Sequence, residues 1–158
     1  MISRTAEYAV LAMATLAKHS LDDRVSAIIL AKETGIPRNY LSTILHMLGH
    51  ANLVVGVRGP GGGFSLAREA KQISAHEIVA SFDNLTSQGR CLLGLRDCCP
   101  ENRCHAHCDW VKVWNHYEKF LLKTTLDRVV KRSTKPRSRQ SSRLQTRRRR
   151  GHRRRSGI

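Results

Sequence analysis

The run Arg58-Gly-Pro-Gly-Gly-Gly63 limits the fold of this chain more than any other stretch. Four glycines and a proline in six residues punctuate the chain between two short apolar runs, Leu53-Val-Val-Gly-Val57 and Gly63-Phe-Ser-Leu66. Two such runs across a Gly-Pro-rich turn make a β-hairpin. The surrounding segments carry helical period instead. Thr5–Lys18 is Ala-rich, with Tyr8, Leu11, Ala12 and Leu16 near helical spacing, and reads as one helix. After a turn at Leu21–Arg24, Ser26 caps a short second helix that Gly35 ends. Pro37 then stands where a first helical turn tolerates it. The third helix runs to about Leu48, burying Leu41, Ile44, Leu45 and Leu48 and turning Arg38, Asn39, Ser42 and Thr43 outward. Ser74-Ala-His-Glu77 has capping-box spacing and opens a fourth helix through about Phe82. A long helix follows from His107 to about Val130, with Trp110, Val113, Trp114, Tyr117, Phe120 and Leu121 at three- and four-residue steps.

Helix, short helix, tight turn, helix and hairpin is the order of a mainly α, winged helix-turn-helix fold with a two-stranded wing. In that fold the second helix of the pair enters the major groove by its N-terminal residues, here Arg38, Asn39, Tyr40, Ser42 and Thr43. Arginine suits guanine edges or phosphate, asparagine suits adenine, and Ser and Thr are adaptable. Read on pattern alone, the same residues also fit the solvated face of a core helix. The hairpin tip favours DNA. Gly59, Pro60 and Gly61 beside Arg58 form a small, stiff loop that can approach a phosphate backbone or a narrow minor groove. It lacks the lysine and Ser or Thr of a phosphate loop, and no helix starts directly behind it.

The net charge of +16 points the same way, but its distribution matters more. From Lys131 onward there are 13 Lys and Arg and no acid, which leaves 15 basic against 12 acidic residues in 1–130, a balance of +3. Residues 131–158 form an Arg/Ser-rich tail without apolar period and are expected to be disordered. Arg147–Arg150 and Arg153–Arg155 would add salt-sensitive phosphate contacts without reading bases. The chain fits one domain plus an appendage. No apolar run approaches the roughly 20 residues that span a bilayer, and the N-terminus does not read as a secretion signal. A cytoplasmic protein with reduced thiols is expected, nucleoid-associated when bound to DNA.

All five cysteines fall in Cys91–Cys108, together with His105 and His107. Cysteines packed into eighteen residues suit one soft metal centre better than disulfides between distant segments. His105 and the histidines elsewhere in the chain read as surface residues.

Met1-Ile-Ser-Arg-Thr-Ala-Glu-Tyr-Ala, Thr34-Gly-Ile-Pro-Arg-Asn-Tyr-Leu-Ser and Val57-Arg-Gly-Pro-Gly-Gly-Gly-Phe-Ser-Leu occur in this order. Together they resemble the Rrf-type family of bacterial winged helix-turn-helix transcription regulators, which includes iron–sulfur and nitric-oxide-sensing members. The resemblance covers about residues 1–130. It implies a homodimer on palindromic promoter DNA, with the long helix crossing to the partner. It divides the chain into a DNA-binding domain (1–83), a cysteine loop with its dimerisation helix (84–130) and the tail (131–158). One departure lies in the second helix, where Ile28 and Ile29 replace commonly charged residues. Similar regulators carry a loop in which Cys91, Cys98, Glu101-Asn102, Cys104, His107 and Trp110 here keep the spacing. The resemblance makes Cys91, Cys98 and Cys104 thiolate ligands of a two-iron or four-iron cluster, and leaves the fourth ligand open among Glu7, His107 and Cys108. Cys99 and Cys108 are extra.

The function implied is a transcription regulator, a repressor by expectation, whose promoter binding responds to redox state, nitric oxide or iron. The alternatives are a structural zinc site on Cys91, Cys98, Cys104 and His107 or Cys108, and a thiol switch at Cys98-Cys99 or Cys104 and Cys108. A third is an iron–sulfur assembly partner. No Ser/His/Asp arrangement or substrate-pocket motif accompanies the cysteines, so neither an enzyme nor a small-molecule substrate is expected.

Overall fold

The computed structural model describes residues 2–85, 91–93 and 101–133. Helices α1 (Arg4–Leu16), α2 (Ala27–Thr34) and α3 (Arg38–His50) precede strands β1 (Val54–Val57) and β2 (Gly63–Leu66). Helices α4 (Ala75–Ala80), α5 (His107–Lys123) and α6 (Leu126–Ser133) follow. No helix among the described residues is long and apolar enough to cross a membrane.

Local chemistry sets most boundaries. Ser3 caps α1 by accepting the Ala6 N–H at 3.2 Å, and Ser26 caps α2 by accepting that of Ile29 at 3.3 Å. Gly35 closes α2 at φ 71°, a left-handed position that costs glycine little. Pro37 forms the N-cap of α3, just ahead of the first turn in which it was expected. Ser74 and Glu77 close the expected capping box at the start of α4, whose last residue is Ala80. The two strands pair antiparallel from Val54↔Leu66 to Val57↔Gly63. A bridge the sequence did not announce joins Val25 to Phe64 and anchors the wing to the turn before α2.

Helix α1 lies at the centre. It packs against α2, α3, α4, α6 and β2, and Ala6, Ala9, Ala12 and Met13 are fully buried. Alanines let the neighbouring backbones approach closely. Being enclosed also blurs its amphipathic period: Ala9, Ala12, Met13 and Leu16 enter the core, whereas Leu11, at helical spacing with Tyr8, Ala12 and Leu16, is 42% exposed. The main core adds Leu30 from α2, Leu41, Ile44, Leu45 and Leu48 from α3, Leu53, Val54 and Leu66 from the wing, and Leu126 from α6. All four expected α3 core residues are buried.

The long C-terminal helix is interrupted. Thr124 takes extended backbone (φ −93°, ψ 105°) and ends α5. The carbonyl of Thr124 accepts from the Ala75 N–H at 2.7 Å, and the Leu126 N–H donates to the Ile73 carbonyl at 2.8 Å. Backbone pairing with the segment before α4 thus wins over helix continuation at two adjacent β-branched threonines. The break redirects Leu126 of α6 into the main core. Helix α6 continues to Ser133, so the first three residues of the basic segment are helical. The remainder, 134–158, lies outside the described residues.

A second cluster joins Ala6 of α1, Ala75 and Val79 of α4, Leu85 from the segment after α4, and Leu121 of α5, with Trp114 and Tyr117 packed on it. The aromatic ridge of α5 is therefore split: Trp114, Tyr117 and Leu121 face this core, while Val113 and Phe120 are 58% and 53% exposed.

The centre of the fold has no room to grow. Ala12→Leu should destabilise by about 1–3 kcal/mol through overpacking, whereas Leu11→Ala should stay within about 0.5 kcal/mol; urea unfolding measures both. Burial alone would raise the Glu77 carboxyl, but hydrogen bonds from the Ser74 N–H and hydroxyl, and then Arg68, outweigh it and hold it below its ordinary 4.5. A depressed carboxyl contributes stability above its unfolded value and loses it as pH falls through the folded one. Thermal melts should therefore show wild type ahead of Glu77→Ala at neutral pH, with the gap narrowing below about pH 4.5.

Candidate nucleic-acid interface and metal-binding loop

Burying Leu41, Ile44, Leu45 and Leu48 forces Arg38, Asn39, Ser42 and Thr43 of α3 to the outside, and all four are exposed. The hydroxyls of Ser42 and Thr43 donate to the carbonyls of Arg38 and Asn39, at 3.0 and 3.3 Å. Such back-bonding is local and weak, so a χ1 rotation frees either hydroxyl. Tyr40 differs. Its hydroxyl lies 2.7 Å from the Thr5 hydroxyl, and its ring meets Tyr8 edge-on at 5.7 Å. Tyr40 therefore braces α3 against α1 as well as lying at the surface, a role its position in the motif did not reveal. Ile28 and Ile29 of α2 face outward at 60% and 49% exposure.

The wing tip places Arg58, Gly59, Pro60 and Gly61 in solvent. Gly59 and Gly61 hold φ of 100° and 74°, and the Gly62 N–H closes the turn on the Gly59 carbonyl at 2.9 Å. Gly62 is glycine for space instead: a Cβ there would stand 2.3 Å from the Val57 carbonyl oxygen and 2.8 Å from that of Gly59. Between α3 and the wing runs an open groove of about 460 Å³ bordered by Ser42, His46, His50 and Arg58.

In the cysteine loop, Cys91 and Cys104 are half-buried, and their sulfurs approach to 3.4 Å. That is too long for a disulfide, whose sulfurs sit about 2.05 Å apart. It is close to the separation of two thiolates sharing one metal at about 2.3 Å each. Two convergent soft donors suit an iron–sulfur or zinc centre. Cys98, assigned as a third ligand, and Cys99 lie outside the described residues. Cys108 is exposed, 4.0 Å from the Arg103 guanidinium. His107 opens α5, its N–H donating to the Cys104 carbonyl at 3.0 Å. Glu7 is exposed in the first turn of α1 and pairs with Arg4 at 3.3 Å. Among the described residues no group of three or more His, Cys, Asp or Glu gathers to hold a metal. The structure thus brings two of the expected ligands together and leaves Glu7, His107 and Cys108 unranked.

The loop is framed by firm elements. Leu85 before it and Leu121 beyond it belong to the same buried cluster. Trp114 lies 6.4 Å from Trp110 and 5.5 Å from Tyr117, carrying contact from the loop's end toward α4. The Tyr117 hydroxyl is buried without a hydrogen-bond partner among the described residues. Burial, then the charge of Asp83, push its ionisation upward.

A helix pair with an outward polar face, a glycine-built wing and a thiol-rich loop leading into a long amphipathic helix define a winged helix-turn-helix regulator. Residues 2–132 match the Rrf2 family, described as an iron-dependent transcriptional regulator. The chain belongs to that family. It is 35% identical over 124 residues to the HTH-type transcriptional regulator IscR of Vibrio atlanticus (strain LGP32), covering 78% of this chain and 71% of that protein. It is 34% identical over 123 residues to IscR of Yersinia pestis, covering 78% and 74%. Among solved structures, T. potens IscR aligns with a TM-score of 0.69 at 28% identity, covering 89% of this chain and 93% of the other. CymR, the global cysteine regulator of B. subtilis, aligns at 0.70 and 25%, covering 84% and 97%.

Gly62→Ala should leave the helices intact by circular dichroism yet destabilise the protein by about 1–3 kcal/mol as the turn opens to relieve its clash; chemical denaturation reads this directly.

Proposed function

We propose that this regulator binds palindromic promoter DNA as a homodimer and that an iron–sulfur cluster on the cysteine loop modulates that binding. The approach of Cys91 and Cys104 to 3.4 Å carries the reading, since two soft donors converge without forming a disulfide. Cys98 would supply a third thiolate, with Glu7, His107 or Cys108 completing the set. When bound, the cluster supplies a redox-active, labile centre that oxidant, nitric oxide or iron shortage can remove or modify.

The chain's own residues carry the rest. Arg38, Asn39, Ser42 and Thr43 face the major groove, with Tyr40 positioning their helix against α1. Arg58, Gly59, Pro60 and Gly61 approach the adjoining backbone or minor groove. The exposed Val113 and Phe120 of α5 form an apolar face for a second copy. Loss of the cluster would release the loop between Leu85 and α5 and so alter the spacing of the two reading heads. The coupling is a difference in DNA affinity between the two loop states. The reading places the protein in the cytoplasm and makes it a repressor. It gives the basic residues beyond Ser133 a non-specific phosphate role.

The likeness in fold to CymR as well as to IscR keeps a second reading in view, a zinc site or thiol switch on the same cysteines. Full-length protein purified without oxygen separates them. Iron and acid-labile sulfide, lost in Cys91→Ser, Cys98→Ser and Cys104→Ser together with a change of at least about tenfold in promoter affinity, or about 1.4 kcal/mol, is the expected result. Colourless protein with stoichiometric zinc, or cysteine variants that bind DNA as wild type does, would overturn it.

A further inference from the structure

His46 and His50 stand four residues apart on α3 and are both exposed. That spacing stacks two side chains on one helix face. Their Nε2 atoms converge to 3.0 Å, and the rings meet edge-on with centroids 4.4 Å apart. A zinc ion bound to imidazole at about 2.0–2.1 Å holds two nitrogens about 3.3 Å apart in a tetrahedral shell, and about 2.9 Å apart at a right angle. The observed separation falls between these values. The helix has already imposed the bite of a bidentate chelate.

The surroundings suit a cation with open coordination positions. His50 is the last residue of α3, where the helix dipole presents its negative end. Both histidines border the groove between α3 and the wing, and no carboxylate is among the residues lining it. An ion there keeps its positive charge and adds to that of Arg58. We propose that His46 and His50 chelate a divalent transition ion of the imidazole-preferring class, zinc foremost, and that its remaining positions face this groove.

The consequence for DNA rests on the proposed docking of α3 and the wing. A helix in the major groove and a wing beside it straddle the phosphate ridge between the grooves. That ridge then occupies the groove that His46, His50 and Arg58 border, and a bound ion would meet a phosphate oxygen. This site is separate from the cysteine loop in sequence and in ligand chemistry, with nitrogen donors in place of thiolates.

Zinc titration of the full chain against a colorimetric chelator tests the site. Wild type should bind one more zinc per chain than His46→Asn or His50→Asn, each folded by circular dichroism. His116→Asn, an exposed histidine on α5, should keep the extra ion. Equal zinc counts in wild type, His46→Asn and His50→Asn overturn the proposal and leave a hydrogen-bonded histidine pair only. The same samples titrated with DNA separate the two levels. Zinc should tighten binding of wild type but not of His46→Asn. DNA affinity indifferent to zinc, with the zinc count still dropping in His46→Asn, keeps the ion site and overturns the DNA-facing placement of the groove.

Discussion

The close packing of neighbouring segments around the alanines of α1 is the constraint on which the rest of the structure depends. Ala6, Ala9 and Ala12 are fully buried, so α2, α3, α4, α6 and the wing strand share one central rod. Small side chains bury little apolar area each, but they shorten the distances at which the larger residues of the neighbours meet. Leu30, Leu41, Ile44, Leu45, Leu48 and Leu126 fill what remains. With that face closed, α3 has only one face left to present to a ligand. The outward polar face of α3 is a consequence of the core.

The same helix links the two halves of the molecule. Ala6 belongs to the second cluster, with Leu85, Val79 and Leu121, while Ala9 and Ala12 belong to the first. The second cluster thus reaches α1 next to Thr5 and Tyr8, the residues against which Tyr40 of α3 rests. Side chains packed this densely respond by discrete shifts, the kind of element on which two-state control is built.

Much of this was readable from local signals. Ser26, Gly35 and the Ser74–Glu77 box announced helix ends because capping is a matter of one or two side chains and nearby N–H groups. The buried face of α3 followed from a clear period in Leu41, Ile44, Leu45 and Leu48. The wing followed from glycines at positions of positive φ. The family resemblance implied Cys91, Cys98 and Cys104 as ligands; the sulfurs of Cys91 and Cys104 stand 3.4 Å apart, and Cys98 lies outside the described residues. Other features had no local signature. Leu11 shares helical spacing with Tyr8, Ala12 and Leu16 yet is 42% exposed, because a helix enclosed by several partners is buried on its alanines and loses the period that marks a one-sided helix. The break at Thr124 depends on backbone groups of Ile73 and Ala75, some fifty residues away. The His46–His50 spacing was visible, but two surface histidines carry no weight until their nitrogens are known to converge.

Sequence alone therefore determined the order of elements, the caps, the wing turn and the outward residues of α3, since each depends on backbone preference or on periodicity within a few turns. Tertiary structure decided which face of α1 is core, where the C-terminal helix breaks and how Tyr40 is held. It also decided which sulfurs meet. These outcomes depend on surfaces brought together from distant parts of the chain, or on side-chain rotamers that neighbours select. No single stretch of sequence contains them.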